Sequence, residues 1–174
     1  MEISPRIPGT MGVSRNLGIN FPMLTLFTYW GYDVSVVENN YDLVVDRAFY
    51  SAYKFEYEYE HSYLDYDDTL VINGKVNTEL MKFIYQAINQ EKKIHLLSKH
   101  MGDLYKDLKQ KKISEYLFEK INVISQNDEK SDYIIENRAI FIDDSFAERK
   151  KVSERLKIAV FDVDMVECLI DWRV

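Results

Sequence analysis

From Tyr63 onward the chain alternates short apolar runs with helical stretches, and polar residues stand where the runs end. That order constrains the fold more than any other feature, because strands separated by helices are joined most simply as parallel neighbours covered on both faces. The first run ends in Tyr63 and Leu64. Asn77 caps a helix reaching about Glu91, Lys93 to Leu97 is a strand ending at Ser98, and Gly102 to Lys109 is helical. Ser114 caps a short helix, Asn122 to Ser125 is a strand, and Lys130 opens a helical turn. Arg138 to Ile142 is a strand ending in Asp143 and Asp144, Ser145 to Leu156 a helix, Ile158 to Phe161 a last strand, and Met165 to Ile170 a short helix. The predicted class is α/β, a parallel sheet with helices on both faces. Ligands of such sheets bind beyond the carboxyl ends of the strands. Asp65, Asp67, Ser98, Asp143 and Asp144 fall at those ends, on three separate strands.

The stretch Tyr63-Leu64-Asp65-Tyr66-Asp67-Asp68-Thr69-Leu70 concentrates this chemistry. Asp65 and Asp67, two apart, point the same way if the extended backbone continues, so two anions share one small space. Such a pair repels itself unless a cation or a retained proton relieves it, and a Mg²⁺ ion with oxygen ligands is the simplest account. The plainer alternative is an Asp-rich turn after a strand, in which Asp68 is solvated or a cap.

Composition limits the partners. With 29 acidic against 22 basic side chains and a net charge of −7, there is no basic footprint for a phosphate backbone, and nucleic acid is not expected. Cys168 is the only cysteine, and His61, His95 and His100 lack metal-motif spacing, so neither a disulfide nor a thiolate zinc site is expected. His95 alternates with apolar neighbours in its strand and reads as a core histidine. A reducing cytoplasm fits. No apolar run is long enough to span a bilayer, and the Pro5, Arg6 and Pro8 region is no signal peptide.

The first third is less regular. Met1 to Asn20 has no sustained periodicity. Phe21 to Trp30 is an apolar helix with Pro22 in its first turn and Gly31 past its end, and its all-round apolarity predicts burial on more than one side. Ala48 to Glu60 turns to alternation, with Phe55, Tyr57 and Tyr59 opposite Glu56, Glu58 and Glu60, the pattern of a half-exposed strand.

Asp65-Tyr66-Asp67-Asp68-Thr69 matches the DxDxT signature of the haloacid-dehalogenase (HAD) superfamily, mostly Mg²⁺-dependent phosphatases, and three later elements resemble that family in order. They are the apolar strand ending in Ser98, the lone Lys130 before a helical turn, and Ile140-Phe141-Ile142-Asp143-Asp144, an apolar strand ending in paired acids. The resemblance covers about residues 63–172 and implies a HAD-like Rossmannoid domain over 61–174. It makes Asp65 the nucleophile that forms an aspartyl-phosphate, and Asp67 the acid and base toward leaving group and water. Thr69 and Ser98 become hydrogen-bond donors to phosphoryl oxygens, and Lys130 their counter-charge. Asp65, Asp67 (through its carbonyl), Asp143 and Asp144 supply the Mg²⁺ ligands. Each residue keeps a plainer reading: Ser98 as a strand end, Lys130 as a surface lysine with Lys99 in its place, Asp144 as the cap of the following helix.

Neither interval that holds a cap domain in that family is long enough for one here, so the site is expected to be capless. An open site suits a large substrate, or one completed by another protein. Glu2-Ile3-Ser4-Pro5-Arg6-Ile7-Pro8-Gly9-Thr10 resembles the end of an ATP-grasp ligase domain of the carbamoyl-phosphate-synthase-like kind, with Ser4 where that family has Asn. Residues 1–60 then read as an ATP-grasp remnant or as an extension that covers a sheet edge. The expected function is phosphomonoester hydrolysis on a phosphorylated small molecule or glycan precursor. The alternative is a non-catalytic or regulatory HAD-like module partnered with an ATP-grasp ligase chain.

Overall fold

His61–Leu64 (β1) is buried along three of its four residues, and it pairs on both sides, which places it at the centre of a sheet. In the computed structural model, residues 11, 13–14, 17–36, 39, 53, 55–171 and 173 are described. After β1 come a small antiparallel hairpin, Val71–Ile72 (β2) with Lys75–Val76 (β3), and then the helix Thr78–Asn89. Lys93–Ser98 (β4), a helix Leu104–Gln110, Lys120–Val123 (β5), Ala139–Ile142 (β6), a helix Phe146–Leu156 and Ala159–Phe161 (β7) follow. Short 3₁₀ turns occupy Glu115–Leu117, Lys130–Asp132 and Val163–Leu169. The helices are α1 (Phe21–Tyr29), α2 (Thr78–Asn89), α3 (Leu104–Gln110) and α4 (Phe146–Leu156).

The five strands stand in the order β5-β4-β1-β6-β7, and every pairing is parallel. Side chains alternate between two apolar layers, as the two-residue period of a strand requires. Leu64, Ile94, Leu96, Ile140 and Ile142 face Leu80, Phe83, Ile84 and Ala87 of α2 together with Leu104 and Leu108 of α3. Tyr63, Leu97, Ala139 and Phe141 face Val152 of α4. Helices therefore cover both faces, the Rossmann-like α/β arrangement expected from the order of elements. The caps act locally: the Asn77 side chain accepts from Leu80 N at 3.2 Å, and that of Ser145 from Glu148 N at 3.4 Å.

The chain adds β4 and β5 on one side of β1, then crosses back to place β6 and β7 on the other. Successive connections thus leave β1 and β6 in opposite directions, and a crevice opens beyond their carboxyl ends. Asp65 directly follows β1, and Asp143 directly follows β6.

Three expectations change. Residues 55–59 form no strand: Phe55 and Tyr59 pack on the core as the alternation implies, but Tyr57 is exposed and, among the described residues, no neighbour forms a ladder with them. Residues 48–52 and 54 of that stretch lie outside the described residues. The strand expected at Asn122 to Ser125 sits two residues earlier, because its pairing with β4 ends at Ser98 opposite Val123. Helix α1 contains no buried residue; Phe27, with Trp30 and Tyr32 just beyond the helix, instead forms a local group of rings with centroids 6.1 to 6.4 Å apart.

The backbone divides into two compact units, Met1–Tyr50 and Ser51–Val174. Phe55 and Tyr59, from the stretch just before residue 60, pack in the core of the second unit. The ligase-like segment Glu2 to Thr10 lies outside the described residues. No helix among the described residues is long and apolar enough to cross a membrane.

Candidate active site at the sheet switch point

Two backbone bonds hold the acidic strand ends in place. Asp65 N donates to Ile142 O at 3.0 Å and Asp143 N to Phe161 O at 3.1 Å, so each aspartate extends the ladder by one residue. Between their side chains stands Lys130, 97% buried, carried there by the 3₁₀ turn that precedes β6. Its Nζ lies 2.8 Å from Asp65 Oδ1 and donates to Asp143 Oδ2 at 2.6 Å. Asp143 Oδ1 accepts from Ser145 N at 2.7 Å, so each of its oxygens has one polar partner. Asp144 is exposed and accepts from the Thr69 hydroxyl at 3.2 Å, and its own N–H donates to Thr69 Oγ1 at 3.0 Å. Thr69 thereby ties the loop after β1 to the loop after β6. The buried Ser98 hydroxyl lies beside the Asp65 carboxyl and helps hold its pKa down, without an aligned hydrogen bond among the described residues.

Burial sets the electrostatics. It raises Asp65 above the usual carboxylate range against the pull of Lys130. Burial also pushes Asp143 up to about 6, with Asp65 adding to the rise and Lys130 opposing it. The same burial would lower Lys130, but the two carboxylates outweigh it and raise its pKa, so the ammonium keeps its proton.

Of the residues the sequence singled out, the fold brings together Asp65, Thr69, Ser98, Lys130, Asp143 and Asp144. The Asp67 carboxylate stands apart, which corrects the expectation that it shares the direction of Asp65. The extended backbone stops at Tyr66: Leu70 N and Val71 N both return to Tyr66 O, Asp68 N bonds Val71 O, and Asp68 takes a left-handed φ of 52°. In that tight loop Asp67 turns outward, its side chain 55% exposed, and meets His100 Nδ1 at 2.9 Å. The convergence of four carboxylates is thus a convergence of three, those of Asp65, Asp143 and Asp144, whose oxygens lie within 4.8 Å of one another. Lys99 is engaged by Glu148 at 2.8 Å, so Lys130 is the lysine beside Asp65.

Sequence reasoning missed two residues. His100, its side chain 91% buried, is held between Asp67 and Asp107, the latter 3.2 Å from Nε2. Arg149 Nη1 donates to the carbonyls of Asp143 and Asp144 at 2.6 and 2.7 Å, and its other nitrogen pairs with Asp162. Arg149 recurs four residues after Ser145 on the buried side of α4, the one signal that could have marked it. Because those bonds brace the loop carrying both acids, Arg149→Met should lower stability by about 1.5–3 kcal/mol. Urea unfolding of the two proteins measures this, and equal midpoints would mean that the loop holds without the guanidinium.

The donor set bears on the expected Mg²⁺. Three carboxylates against one ammonium leave two formal negative charges at one point, and all the available donors are hard oxygens, which fits a small divalent cation. The intervals on either side of Ser98 hold only the β2–β3 hairpin and α2, and then α3, a 3₁₀ turn and β5, so neither interval contains a folded cap domain. No protein-family model and no curated protein matches this chain.

Proposed function

We propose that the chain is a capless phosphomonoesterase working through an aspartyl-phosphate on Asp65, with Mg²⁺ as its cofactor. The observation that carries this reading is the position of Lys130, a buried ammonium within 2.8 Å of carboxylates on both strands of the switch point. Asp65 Oδ1 is sealed while the side chain keeps 10% exposure, so attack falls to its outward oxygen. That oxygen forms the bond to phosphorus as the ester P–O bond breaks, and the electron pair leaves with the alcohol oxygen. Asp67, at the open rim, would supply the proton to that oxygen and then take one from the water that cleaves the aspartyl-phosphate. This requires Asp67 to turn from His100 toward the crevice. Thr69 and Ser98 would donate to the phosphoryl oxygens, and Lys130 would offset their charge. Asp65, Asp143 and Asp144 would hold the Mg²⁺, which when bound adds positive charge against the phosphoryl group.

Purified protein should release phosphate from a generic aryl phosphate only when Mg²⁺ is present. Absence of turnover on sugar, nucleotide and acyl phosphates, with a stable complex to a ligase chain, would instead favour a regulatory module.

The metal has a separate test in stability. Asp143 has a folded pKa of about 6, above its value of 3.8 when unperturbed, so the folded state binds its proton more tightly. Its contribution is therefore fully present below pH ~4 and is lost as the pH rises through about 6. Without metal, Asp143→Asn should match wild type near pH 4 and exceed it by about 3 kcal/mol at pH 7. With Mg²⁺ the gap at pH 7 should nearly close, because the variant lacks a ligand while ~100-fold excess over the dissociation constant adds about 2.7 kcal/mol to wild type. Melting curves at both pH values decide it, and an equal Mg²⁺ shift in the two proteins would remove Asp143 from the ligand set.

A further inference from the structure

A second cluster lies at the other end of the sheet. His61 opens β1 four residues before Asp65, about 13 Å away along an extended strand. Its Nδ1 is 2.9 Å from Nε2 of His95 on β4 and 3.9 Å from Oε1 of Glu136, in the segment leading into β6. All three donor atoms lie within 4.8 Å of one another. The Tyr63 hydroxyl donates to the other oxygen of Glu136, which leaves Oε1 turned toward His61. The Tyr63 ring also stacks on His95 with centroids 4.5 Å apart, which sets the plane of the imidazole.

We propose that His61, His95 and Glu136 form a second cation site, taking a first-row transition ion of the zinc type through two imidazole nitrogens and one carboxylate oxygen. Three bases that converge on one point share a proton, and a metal cation can take that proton's place. Bonds of about 2.0–2.1 Å in tetrahedral geometry put neighbouring donors about 3.3 Å apart, between the 2.9 and 3.9 Å found here, so the imidazoles need separate by only a few tenths of an ångström, with a matching tilt of the rings. Imidazole donors select zinc-like ions over Mg²⁺. The side chains of His61 and Glu136 keep 16% and 23% exposure, so an ion enters without opening the core, and a water completes the shell. Tyr63 is the positioning residue, since its hydrogen bond orients the ligating carboxylate. The sequence concealed the site because its members come from three strand-adjacent segments, with no motif spacing.

The test uses the full chain, stripped with a chelator and held in excess Mg²⁺ so that the carboxylate cluster is occupied. Co²⁺, the visible stand-in for zinc, is titrated by absorption, and Zn²⁺ by calorimetry. One Co²⁺ should bind per chain with the spectrum of a four-coordinate, nitrogen-ligated ion. Glu136→Gln should weaken binding by more than ~100-fold, and Tyr63→Phe, which keeps the ring stack and removes only the hydroxyl, by about 10- to 100-fold. Asp143→Asn should bind Co²⁺ as wild type does. No uptake in excess Mg²⁺, or affinity unchanged in both Glu136→Gln and Tyr63→Phe, would overturn the proposal, as would loss of the ion in Asp143→Asn alone. Should Glu136→Gln fail to fold, Tyr63→Phe decides.

Discussion

Asp65→Asn should lower phosphate release from an aryl phosphate by about 10⁴- to 10⁶-fold, the range found when one member of a catalytic unit is removed. The amide keeps the shape of the side chain, and the backbone bond from Asp65 N to Ile142 O is untouched, so the loop geometry should persist. What disappears is the anionic oxygen that, on the proposed mechanism, bonds to phosphorus. Lys130 still has Asp143 at 2.6 Å, so the ammonium does not become an isolated buried charge. Initial rates in saturating Mg²⁺, with circular dichroism to confirm the fold, give the first half of the answer. Acid-quenched protein from a phosphate-labelled substrate gives the second: wild type should carry acid-stable label and the variant none. Turnover by Asp65→Asn within tenfold of wild type would remove the covalent mechanism.

Lys130→Met should have the largest effect on stability. Lys130 is 3% exposed, Asp143 fully buried and Asp65 nearly so, and removing the cation leaves two carboxylates facing each other in the core. Breaking a buried pair in this way costs about 3–5 kcal/mol, of which the Met packing recovers little because the penalty lies in the unpaired anions. For a chain of 174 residues that corresponds to a fall in melting temperature of about 10 °C. The carboxyls would relieve themselves by taking up protons, so the loss should be greater at pH 8 than at pH 5. Adding Asp143→Asn to Lys130→Met should restore more than half of the stability, since one buried anion is far cheaper than two. A loss below ~1 kcal/mol, or no rescue in the double variant, would mean that the carboxyls are already neutral and that Lys130 is not their counter-ion.

Much of this molecule was legible before its structure. The order of strands and helices follows from periods of two and 3.6 and from caps such as Asn77 and Ser145, all of them properties of neighbouring residues. The acids at the strand ends were legible for the same reason: a run of buried apolar residues has to stop where a carboxylate begins. Tertiary structure decided what depends on direction and on distant pairing. Crossing from β5 back to β6 placed Asp65 and Asp143 side by side, and no local spacing records on which side of β1 a strand is added. The turn at Tyr66 sent Asp67 to His100, although its position two residues after Asp65 implied a shared direction only for extended backbone. Lys130 was the expected phosphate-side lysine with Lys99 as its substitute, and the fold separated them by giving Lys99 to Glu148 and burying Lys130 between two aspartates. Arg149 and the His61, His95 and Glu136 cluster were invisible for a related reason. Their partners are chosen by register between strands and by loop closure, which arise only when segments far apart in the chain are packed together.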